Sequence, residues 1–296
     1  MEEILKKTFD EINNTGKNYF TCGLNTGFKK LDFATSGLKR GNLIIIAGVP
    51  SIGKTALTLS IANNISRDSK IPVAYYSMNE TETELCKKII ANNAQVAIEY
   101  INNCYLDKND WKQLDSAIVI MSKMRFFIKD GGKWELDDLT KNIKEMVETN
   151  KVEVVFIDTL QQIYISKMAH LPREQMVSQV VRELKSLAKE LNIPIVAISP
   201  LNRGGENTPP WDKPKLSQLR ESGEIENIAD IVLFIHRWNY WRIYENPETG
   251  KNLKNIAEII IAKNRNGRTT EFDLIHKLEF AKFLNEEDVN STASQS

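Results

Sequence analysis

The segment 48–55, GVPSIGKT, has the residue types and spacing of a loop that binds nucleotide phosphates. Its backbone N–H groups, together with those of the following helix start, are expected to surround phosphate oxygens. Lys54 would reach the β- and γ-phosphates, and the Thr55 hydroxyl would bind a Mg²⁺ ion. The alternative is a glycine-rich turn without a ligand. A strand pattern before the loop and a helix pattern after it favour phosphate binding. The residues predicted to line the nucleotide site are Gly48, Pro50, Ser51, Ile52, Gly53, Lys54, Thr55 and Ala56.

A second Mg²⁺ ligand is predicted at the end of another strand. The apolar run VEVVFID, residues 152–158, ends in Asp158. An aspartate in this position can instead cap a helix or stabilise a turn. Because Lys54 and Thr55 already predict a nucleotide site, the pattern favours Asp158 as the carboxylate that binds the metal.

The elements that position these residues alternate along the chain. Short runs that are apolar on both faces, as in buried parallel strands, occur at 42–48, 71–77, 125–130, 152–158, 193–199 and 231–237. Segments with apolar residues at helical spacing lie at 55–65, 84–92, 110–121, 136–147 and 174–191. This order predicts an α/β fold with a mostly parallel sheet flanked by helices. Residues 256–277 read as a final β-hairpin around Asn266 and Gly267.

Composition restricts the class of protein. The 296 residues are 42% hydrophobic and 26% charged, which excludes a fibrous or wholly disordered chain. The formal net charge is zero, so a nucleic-acid partner would have to meet a local basic surface. Three cysteines without paired spacing predict neither a disulfide framework nor a zinc site. No apolar run is long enough to span a bilayer, and we expect a cytoplasmic protein without membrane contact.

Several collinear stretches between Thr26 and Leu284 resemble the ATPase domain of DnaB-like replicative helicases, which are RecA-like hexameric motors. They are TGFKKLD, GLKRGNLIIIAGVPSIGKTA, YYSMN, FIDTLQQI, VRELKSLAKELNIPIVAIS, LNR, LSQLRESGEIENIADIVLFIHR and IAEIIIAKNRNG. The resemblance implies a RecA-like P-loop NTPase fold that uses ATP and Mg²⁺. It also implies a role in DNA replication, with a homohexameric ring that moves 5′ to 3′ along single-stranded DNA.

The resemblance divides the chain into three parts. Residues 1–20 correspond to a linker helix and arm, 21–284 to the ATPase domain, and 285–296 to a flexible polar tail. In the family the linker helix, here 3–13, docks on the adjacent subunit, although packing within its own subunit remains an alternative. Full-length family members carry an additional domain before this helix that recruits primase. A helicase loader or primase is therefore an expected partner.

Two further groups of site residues come only from the resemblance. In KNRNG, Lys263 and Arg265 match a basic pair that reaches the γ-phosphate on the neighbouring subunit, with Arg265 as the arginine finger. Spacing alone favours a solvated basic hairpin tip. In LRESG, Arg220, Glu221 and Gly223 match a loop that contacts DNA phosphates in the central channel. Without the resemblance, this segment would be an ordinary charged turn.

Two positions depart from the family pattern. Asn79 stands where the family has the glutamate that activates water, and an amide cannot accept the proton. Glu80 follows it and matches the second of two glutamates in related motors, so it is the candidate base; alternatively, it caps the next helix. Pro200 replaces a glutamine that senses the γ-phosphate in the family. Proline has neither an amide side chain nor a backbone N–H, so it cannot replace the glutamine in coupling hydrolysis to DNA movement.

These departures leave three functional hypotheses. The first is an ATP-driven helicase motor. The second is a DnaB-like ring that binds ATP without fast hydrolysis and acts as a loader or regulatory partner of another helicase. The third, a RecA-like recombination or clock ATPase, matches KNRNG and LRESGEIE less well. The aromatic and basic segment 237–244 could stack on bases, or it could anchor a surface hairpin or a subunit contact.

Overall fold

The computed structural model describes residues 1, 5–6, 22–201, 212–219, 223–246 and 249–288. Most of the predicted linker helix 3–13 lies outside these ranges, as do Arg220, Glu221 and the last residue of the LNR stretch, Arg203. The division into an arm, an ATPase domain and a tail therefore stays a prediction. At the start of the predicted tail, Glu286 and Glu287 form exposed ion pairs with Lys30 and Lys29.

A nine-stranded sheet forms the centre of the described chain. Its strands are β1 Leu43–Gly48, β2 Val73–Ser77, β3 Phe126–Asp130, β5 Val154–Asp158, β7 Ile195–Pro200, β8 Ile231–His236, β9 Ile256–Asn264, β10 Thr270–Lys277 and β11 Lys282–Leu284. Their order across the sheet is β11-β10-β9-β8-β1-β7-β5-β2-β3. The six strands from β8 to β3 are parallel, and β9, β10 and β11 continue the sheet antiparallel. A separate parallel pair joins β4 Trp134–Glu135 to β6 Ile163–Tyr164.

The helices flank this sheet as the sequence predicted. They are α1 Lys29–Thr35, α2 Lys54–Asp68, α3 Glu82–Ala94, α4 Ile98–Asn103, α5 Lys108–Met121, α6 Leu136–Asn150, α7 Arg173–Leu191 and α8 Gly223–Ile228. Five of them match predicted segments. The other three, α1, α4 and α8, have six or seven residues each, which is too short for an apolar period to be recognised.

The hydrophobic core lies between the sheet and the helices. Every residue of β1, β2, β5 and β8 is buried, as expected for parallel strands covered on both faces. Helix α7 contributes a buried stripe that includes Val177, Val180 and Leu184. Each fully buried side chain of this size contributes about 1.5–3 kcal/mol. The α/β fold with a mostly parallel sheet is confirmed, and so is the β9–β10 hairpin.

The register of the parallel strands brings the predicted site residues to one edge of the sheet. Gly48 pairs with Pro200 across β1 and β7, and Ser77 pairs with Asp158 across β2 and β5. These are the carboxyl ends of the strands, where open α/β sheets bind their ligands. No described helix is long and apolar enough to cross a membrane. Cys22, Cys86 and Cys104 are free thiols.

Candidate active site

The predicted phosphate loop connects the end of β1 to the start of α2. Gly53 is the residue before α2, and its φ of 110° lies in a region that side chains disfavour. A Cβ on Gly53 would also lie 3.2 Å from the Phe283 ring. Ser51 has a positive φ of 58°. The loop therefore has the strongly curved backbone that turns successive N–H groups toward an anion.

Lys54 spans this loop. Its ammonium group donates to the carbonyl oxygens of Gly48 at 3.0 Å and Val49 at 2.8 Å. These contacts hold the cation at the edge where the parallel strands end. A phosphate group bound in the loop would offer charged acceptors to the same ammonium group, and hydrogen bonds of that kind are stronger than those to neutral carbonyls.

Asp158 and Thr55 meet beside the loop. The Thr55 hydroxyl donates to Asp158 Oδ2 at 2.6 Å, and Tyr75 donates to the same oxygen at 3.4 Å. Burial raises the pKa of the Asp158 carboxyl, while the hydrogen bond from Thr55 lowers it. The carboxylate does not cap the short 3₁₀ turn that follows, because the N-cap residue of that turn is Thr159. One hydroxyl and one carboxylate oxygen are ligands that Mg²⁺ accepts, so these residues fit the ion.

The two positions after β2 have different surroundings. The Glu80 carboxylate accepts two hydrogen bonds from Lys88 Nζ, at 2.5 and 2.6 Å, in a partly buried ion pair. The alternative in which Glu80 caps α3 is wrong, because Thr81 is the N-cap and forms a reciprocal capping box with Glu84. Asn79 is exposed, and its amide oxygen accepts a hydrogen bond from Gln162.

Pro200 lies beside the first residue of the phosphate loop, because it pairs with Gly48. The neighbouring Ser199 hydroxyl accepts a 2.9 Å hydrogen bond from the amide of Gln161, which follows β5. The amide side chain of Gln161 therefore lies between β5 and β7. It follows β5, whereas the family glutamine stands at position 200, at the end of β7. Sequence reasoning missed Gln161 and Gln162, whose only signal was polarity just after a predicted strand, and Lys88, which lies within the predicted helix 84–92 and carried no such signal.

Lys263 and Arg265 lie near the amino-terminal ends of the parallel strands, opposite the carboxyl ends where the phosphate loop lies. Lys263 pairs with Val232 of β8, and the Arg265 backbone N–H donates to Asp230 O. Asp230 is hydrogen-bonded to Leu43 at the start of β1, five residues before Gly48 and about 17 Å away along the strand. The two basic side chains donate to the Asn227 carbonyl at the end of α8. The structure therefore does not bring them together with the phosphate loop of the same chain.

The predicted DNA-contacting residues lie partly outside the described ranges. Gly223 is exposed and begins the short helix α8, whose last carbonyls accept the side chains of Lys263 and Arg265. Arg220 and Glu221 precede it and are not described. The helix thus connects the position of the predicted DNA loop with the basic pair.

The aromatic and basic segment 237–244 is divided between buried and exposed positions. Arg237 is only 8% exposed, which prevents its guanidinium group from stacking on a base. Trp238 donates to Glu258 at 3.1 Å. Tyr240 and Tyr244 keep 37% and 54% of their surface exposed. The start of the segment, Arg237 and Trp238, is therefore anchored in the fold. Stacking of Tyr240 and Tyr244 on bases stays a prediction.

A comparison with protein-family models matches residues 23–285 to the DnaB-like helicase C-terminal domain. The chain belongs to this family. It is 35% identical to the replicative DNA helicase DnaC of Bacillus subtilis (strain 168) over 287 residues, and 35% identical to the replicative DNA helicase DnaB of Geobacillus stearothermophilus over 290. Each alignment covers 96% of this chain and 62% of the relative. The chain thus spans less than two thirds of the length of these DnaB-like relatives.

Solved structures agree with this assignment to the DnaB-like family. One is a DnaB-like replicative helicase described with its interactions with primase; the TM-score is 0.83 at 32% identity, over 96% of this chain and 66% of that one. The other is an ATPase domain, with a TM-score of 0.85 at 32% identity. The alignment covers 96% of this chain and 98% of that one. The sequence resemblance is therefore confirmed, and with it the RecA-like fold class.

Proposed function

We propose that this chain is the ATP-hydrolysing motor of a replicative DNA helicase, and that it moves along single-stranded DNA as a ring of identical subunits. The observation that carries the proposal is the division of charged groups between two edges of one sheet. The phosphate loop lies at one edge and the Lys263 and Arg265 pair at the other. A head-to-tail ring would bring the basic edge of one subunit to the nucleotide of the next.

Nucleotide binding is assigned to the loop and to Lys54. Loop N–H groups from Gly48 to Ala56 would hold phosphate oxygens, and Lys54 would exchange its two carbonyl partners for phosphate. Thr55 and Asp158 would hold a Mg²⁺ ion, which neutralises negative charge on the phosphates. Burial of Asp158 keeps this carboxylate away from bulk water and so strengthens its interaction with a cation.

Activation of the attacking water is assigned to Glu80, with Asn79 as a group that orients water. A carboxylate can accept the proton, whereas an amide cannot. The bidentate contact with Lys88 holds Glu80 at a fixed position near the strand ends, and the Glu80 charge also contributes to the raised pKa of Asp158. For Glu80 to act as a base, a bound water must reach one of its two oxygens.

The remaining contacts of the motor are assigned by family likeness. Arg220, Glu221 and Gly223 would meet single-stranded DNA, and hexameric assembly would place these loops around a channel. A primase is a candidate partner because a structural neighbour is described together with its interactions with primase. A helicase loader and 5′ to 3′ polarity complete the proposal. Six subunits need only one or two basic groups each to follow a strand, which agrees with the zero net charge.

Steady-state ATP hydrolysis, measured with and without single-stranded DNA, tests this assignment. We expect DNA to stimulate turnover in the wild type, Lys54→Ala to abolish it, and Glu80→Gln to lower it at least 100-fold, the typical contribution of a general base. Full activity in Glu80→Gln would exclude Glu80 as the base. Strand displacement on a forked duplex then tests unwinding, and native mass measurement tests the hexamer.

A second candidate function is supported by Asn79, which occupies the position of the family's water-activating glutamate. On this hypothesis the ring binds ATP, hydrolyses it slowly and acts as a loader or regulatory partner. It predicts that wild-type turnover does not exceed that of Lys54→Ala, that ATP is retained stoichiometrically, and that Asn79→Glu restores hydrolysis. Stimulated turnover in the wild type contradicts it.

A further inference from the structure

Arg237 is the residue that follows β8, and its guanidinium group is buried beneath the phosphate loop. Its Nη1 donates to the Ile52 carbonyl at 3.0 Å, and its Nε donates to Asn239 Oδ1 at 3.2 Å. No carboxylate among the described residues pairs with it. Burial lowers the pKa of Arg237, which nevertheless retains its charge because an arginine side chain cannot be deprotonated in proteins.

The Ile52 carbonyl that Arg237 binds belongs to the peptide group that joins Ile52 to Gly53. A trans peptide is planar, so the Ile52 C=O and the Gly53 N–H point in opposite directions. The Ile52 side chain is 1% exposed, and a Cβ on Gly48 would lie 2.8 Å from it, so the loop closes tightly over this residue. With its side chain buried and its carbonyl fixed by Arg237, the Ile52 peptide has little freedom to rotate. The Gly53 N–H is then directed away from Arg237.

We propose that Arg237 is a positioning residue of the phosphate loop, which fixes the Ile52–Gly53 peptide so that the Gly53 N–H faces the nucleotide phosphates. This inference rests on the proposed nucleotide binding at residues 48–55. A charge-assisted hydrogen bond to the Ile52 carbonyl also polarises that peptide, which makes the Gly53 N–H a stronger donor.

The buried positive charge of Arg237 also favours phosphate binding at the loop. A cation in a low-dielectric environment below the loop attracts phosphate oxygens above it. His276 lies close enough for the Arg237 charge to lower its pKa, which burial and that charge bring to about 4. His276 is therefore neutral at pH 7 and neither adds to the positive charge nor cancels it. Asn239 fixes the other side of the guanidinium and is in turn anchored on Lys254 O at 2.6 Å.

The test compares Arg237→Gln, Arg237→Lys and Asn239→Ala with the wild type. A matched control is Arg40→Gln, because Arg40 is an exposed arginine paired with Glu153. The dissociation constant of Mg²⁺–ADP and the KM for ATP are the decisive readouts. A hydrogen bond to a charged group contributes about 1.5–3 kcal/mol, which corresponds to roughly 10- to 100-fold in affinity. We expect this increase in Kd and KM for Arg237→Gln, with kcat within about threefold of wild type because ground and transition states lose the same contact.

The companion variants separate positioning from folding. Arg237→Lys keeps the charge and can retain the hydrogen bond to the Ile52 carbonyl, so it should recover at least half of the lost affinity on a logarithmic scale. Asn239→Ala should raise KM by several-fold and leaves the buried cation in place. A purely structural role would reduce the folded fraction, which lowers kcat and leaves KM and Kd unchanged. That pattern, or an unchanged Kd in Arg237→Gln, would overturn the inference.

Failure of the proposed nucleotide binding can be distinguished from failure of the proposed role of Arg237. If the wild type binds Mg²⁺–ADP no more tightly than Lys54→Ala, the proposed nucleotide site and this inference are both wrong. If the wild type binds normally and Arg237→Gln binds equally well, only the role of Arg237 is wrong. Should Arg237→Gln fail to fold, Arg237→Lys and Asn239→Ala decide the outcome, and wild-type affinity in both overturns the inference.

Discussion

Thr55 and Asp158 are joined by a 2.6 Å hydrogen bond, although 103 residues separate them in the chain. Oxygen ligands at about 2.0–2.1 Å from a Mg²⁺ ion in octahedral geometry lie roughly 2.9 Å apart when they are adjacent. The two oxygens therefore need to separate by only a few tenths of an ångström to share one ion. The buried end of β5 and the first turn of α2 therefore keep the two oxygens near the spacing that the proposed Mg²⁺ site requires.

The first prediction concerns this pair. Thr55→Ala removes the hydroxyl ligand, whereas Thr55→Ser retains it with little change of shape. We expect Thr55→Ala to need at least tenfold more Mg²⁺ for half-maximal ATP hydrolysis, because one oxygen ligand of the ion is lost. Thr55→Ser should behave like the wild type. A Mg²⁺ titration of the hydrolysis rate measures this, and an equal Mg²⁺ requirement in Thr55→Ala would exclude the hydroxyl as a ligand.

The second prediction concerns action between subunits. Arg265 and the phosphate loop lie at opposite edges of one sheet, so Arg265 is expected to act on a neighbour. Arg265→Ala should lower kcat by roughly 10³-fold or more, the usual contribution of an arginine finger. Mixed rings test the direction of this action. Arg265→Ala subunits provide intact loops and Lys54→Ala subunits provide intact fingers, so mixing two inactive proteins should restore activity.

The control for this mixture is each variant mixed with itself. Activity that rises with the proportion of unlike neighbours supports action in trans. An inactive mixture, under conditions in which subunits demonstrably exchange, contradicts it. A merely structural role of Arg265 predicts lower thermal stability of Arg265→Ala, which a melting curve detects independently.

Much of the fold could be predicted from the sequence because the strands are buried on both faces. Continuous apolar runs followed by polar residues located the ends of β1 and β5, and with them Lys54 and Asp158. The capping role of Thr81 could also have been recognised, since Thr81 and Glu84 have the spacing of a capping box. The interpretation of Glu80 as a possible cap overlooked that signal.

Other features depend on contacts that no local pattern encodes. Burial of Arg237 follows from its bond to Ile52, which lies 185 residues earlier in the chain. The placement of Lys263 away from the phosphate loop follows from the antiparallel register of β8 and β9. The ion pair of Glu80 with Lys88 requires the geometry of α3 relative to the end of β2. Tertiary structure decides these relationships.

The third prediction concerns stability. Lys185 donates to Asp230 at 2.5 Å, and their side chains are only 11% and 7% exposed. Lys185→Met removes the nearer of two cations from a buried carboxylate and leaves only Arg265 Nε, 3.9 Å from Asp230 Oδ1. Breaking a buried ion pair typically costs about 3–5 kcal/mol. Arg40→Met breaks the ion pair with Glu153, whose members are 47% and 36% exposed, and should cost less than about 1 kcal/mol. Urea unfolding of both variants measures the difference. Equal losses would show that Lys185 contributes no more than a surface pair.

The fourth prediction concerns pH. His276 is 5% exposed and its Nε2 has no hydrogen-bond partner in the described part of the chain. Burial and the Arg237 charge lower the pKa of His276 from 6.5 to about 4. Between these two pH values the unfolded chain carries a proton on this residue that the folded chain does not. The free energy of unfolding therefore decreases as pH falls from 6.5 to 4, and it regains this contribution as pH rises.

Asp32 changes the free energy of unfolding with pH in the opposite direction to His276. Its carboxyl is buried, which raises its pKa from 3.8 to about 6 against the effect of hydrogen bonds from Thr26. Between pH 4 and 6 the folded chain holds a proton on Asp32 that the unfolded chain has released, so this residue stabilises the fold less as pH rises. The net pH dependence of the wild type is a sum of opposing contributions. Single variants are needed to separate them.

His276→Gln removes one contribution and leaves the other. We expect the difference in unfolding free energy between wild type and His276→Gln to shift by up to about 3 kcal/mol between pH 7 and pH 4, because each pKa unit corresponds to about 1.4 kcal/mol. The shift should favour the variant at low pH. His170→Gln, a change at an exposed histidine, provides the matched control. Chemical denaturation at several pH values measures both. Parallel pH profiles for wild type and His276→Gln would show that His276 is protonated equally in the folded and unfolded chains.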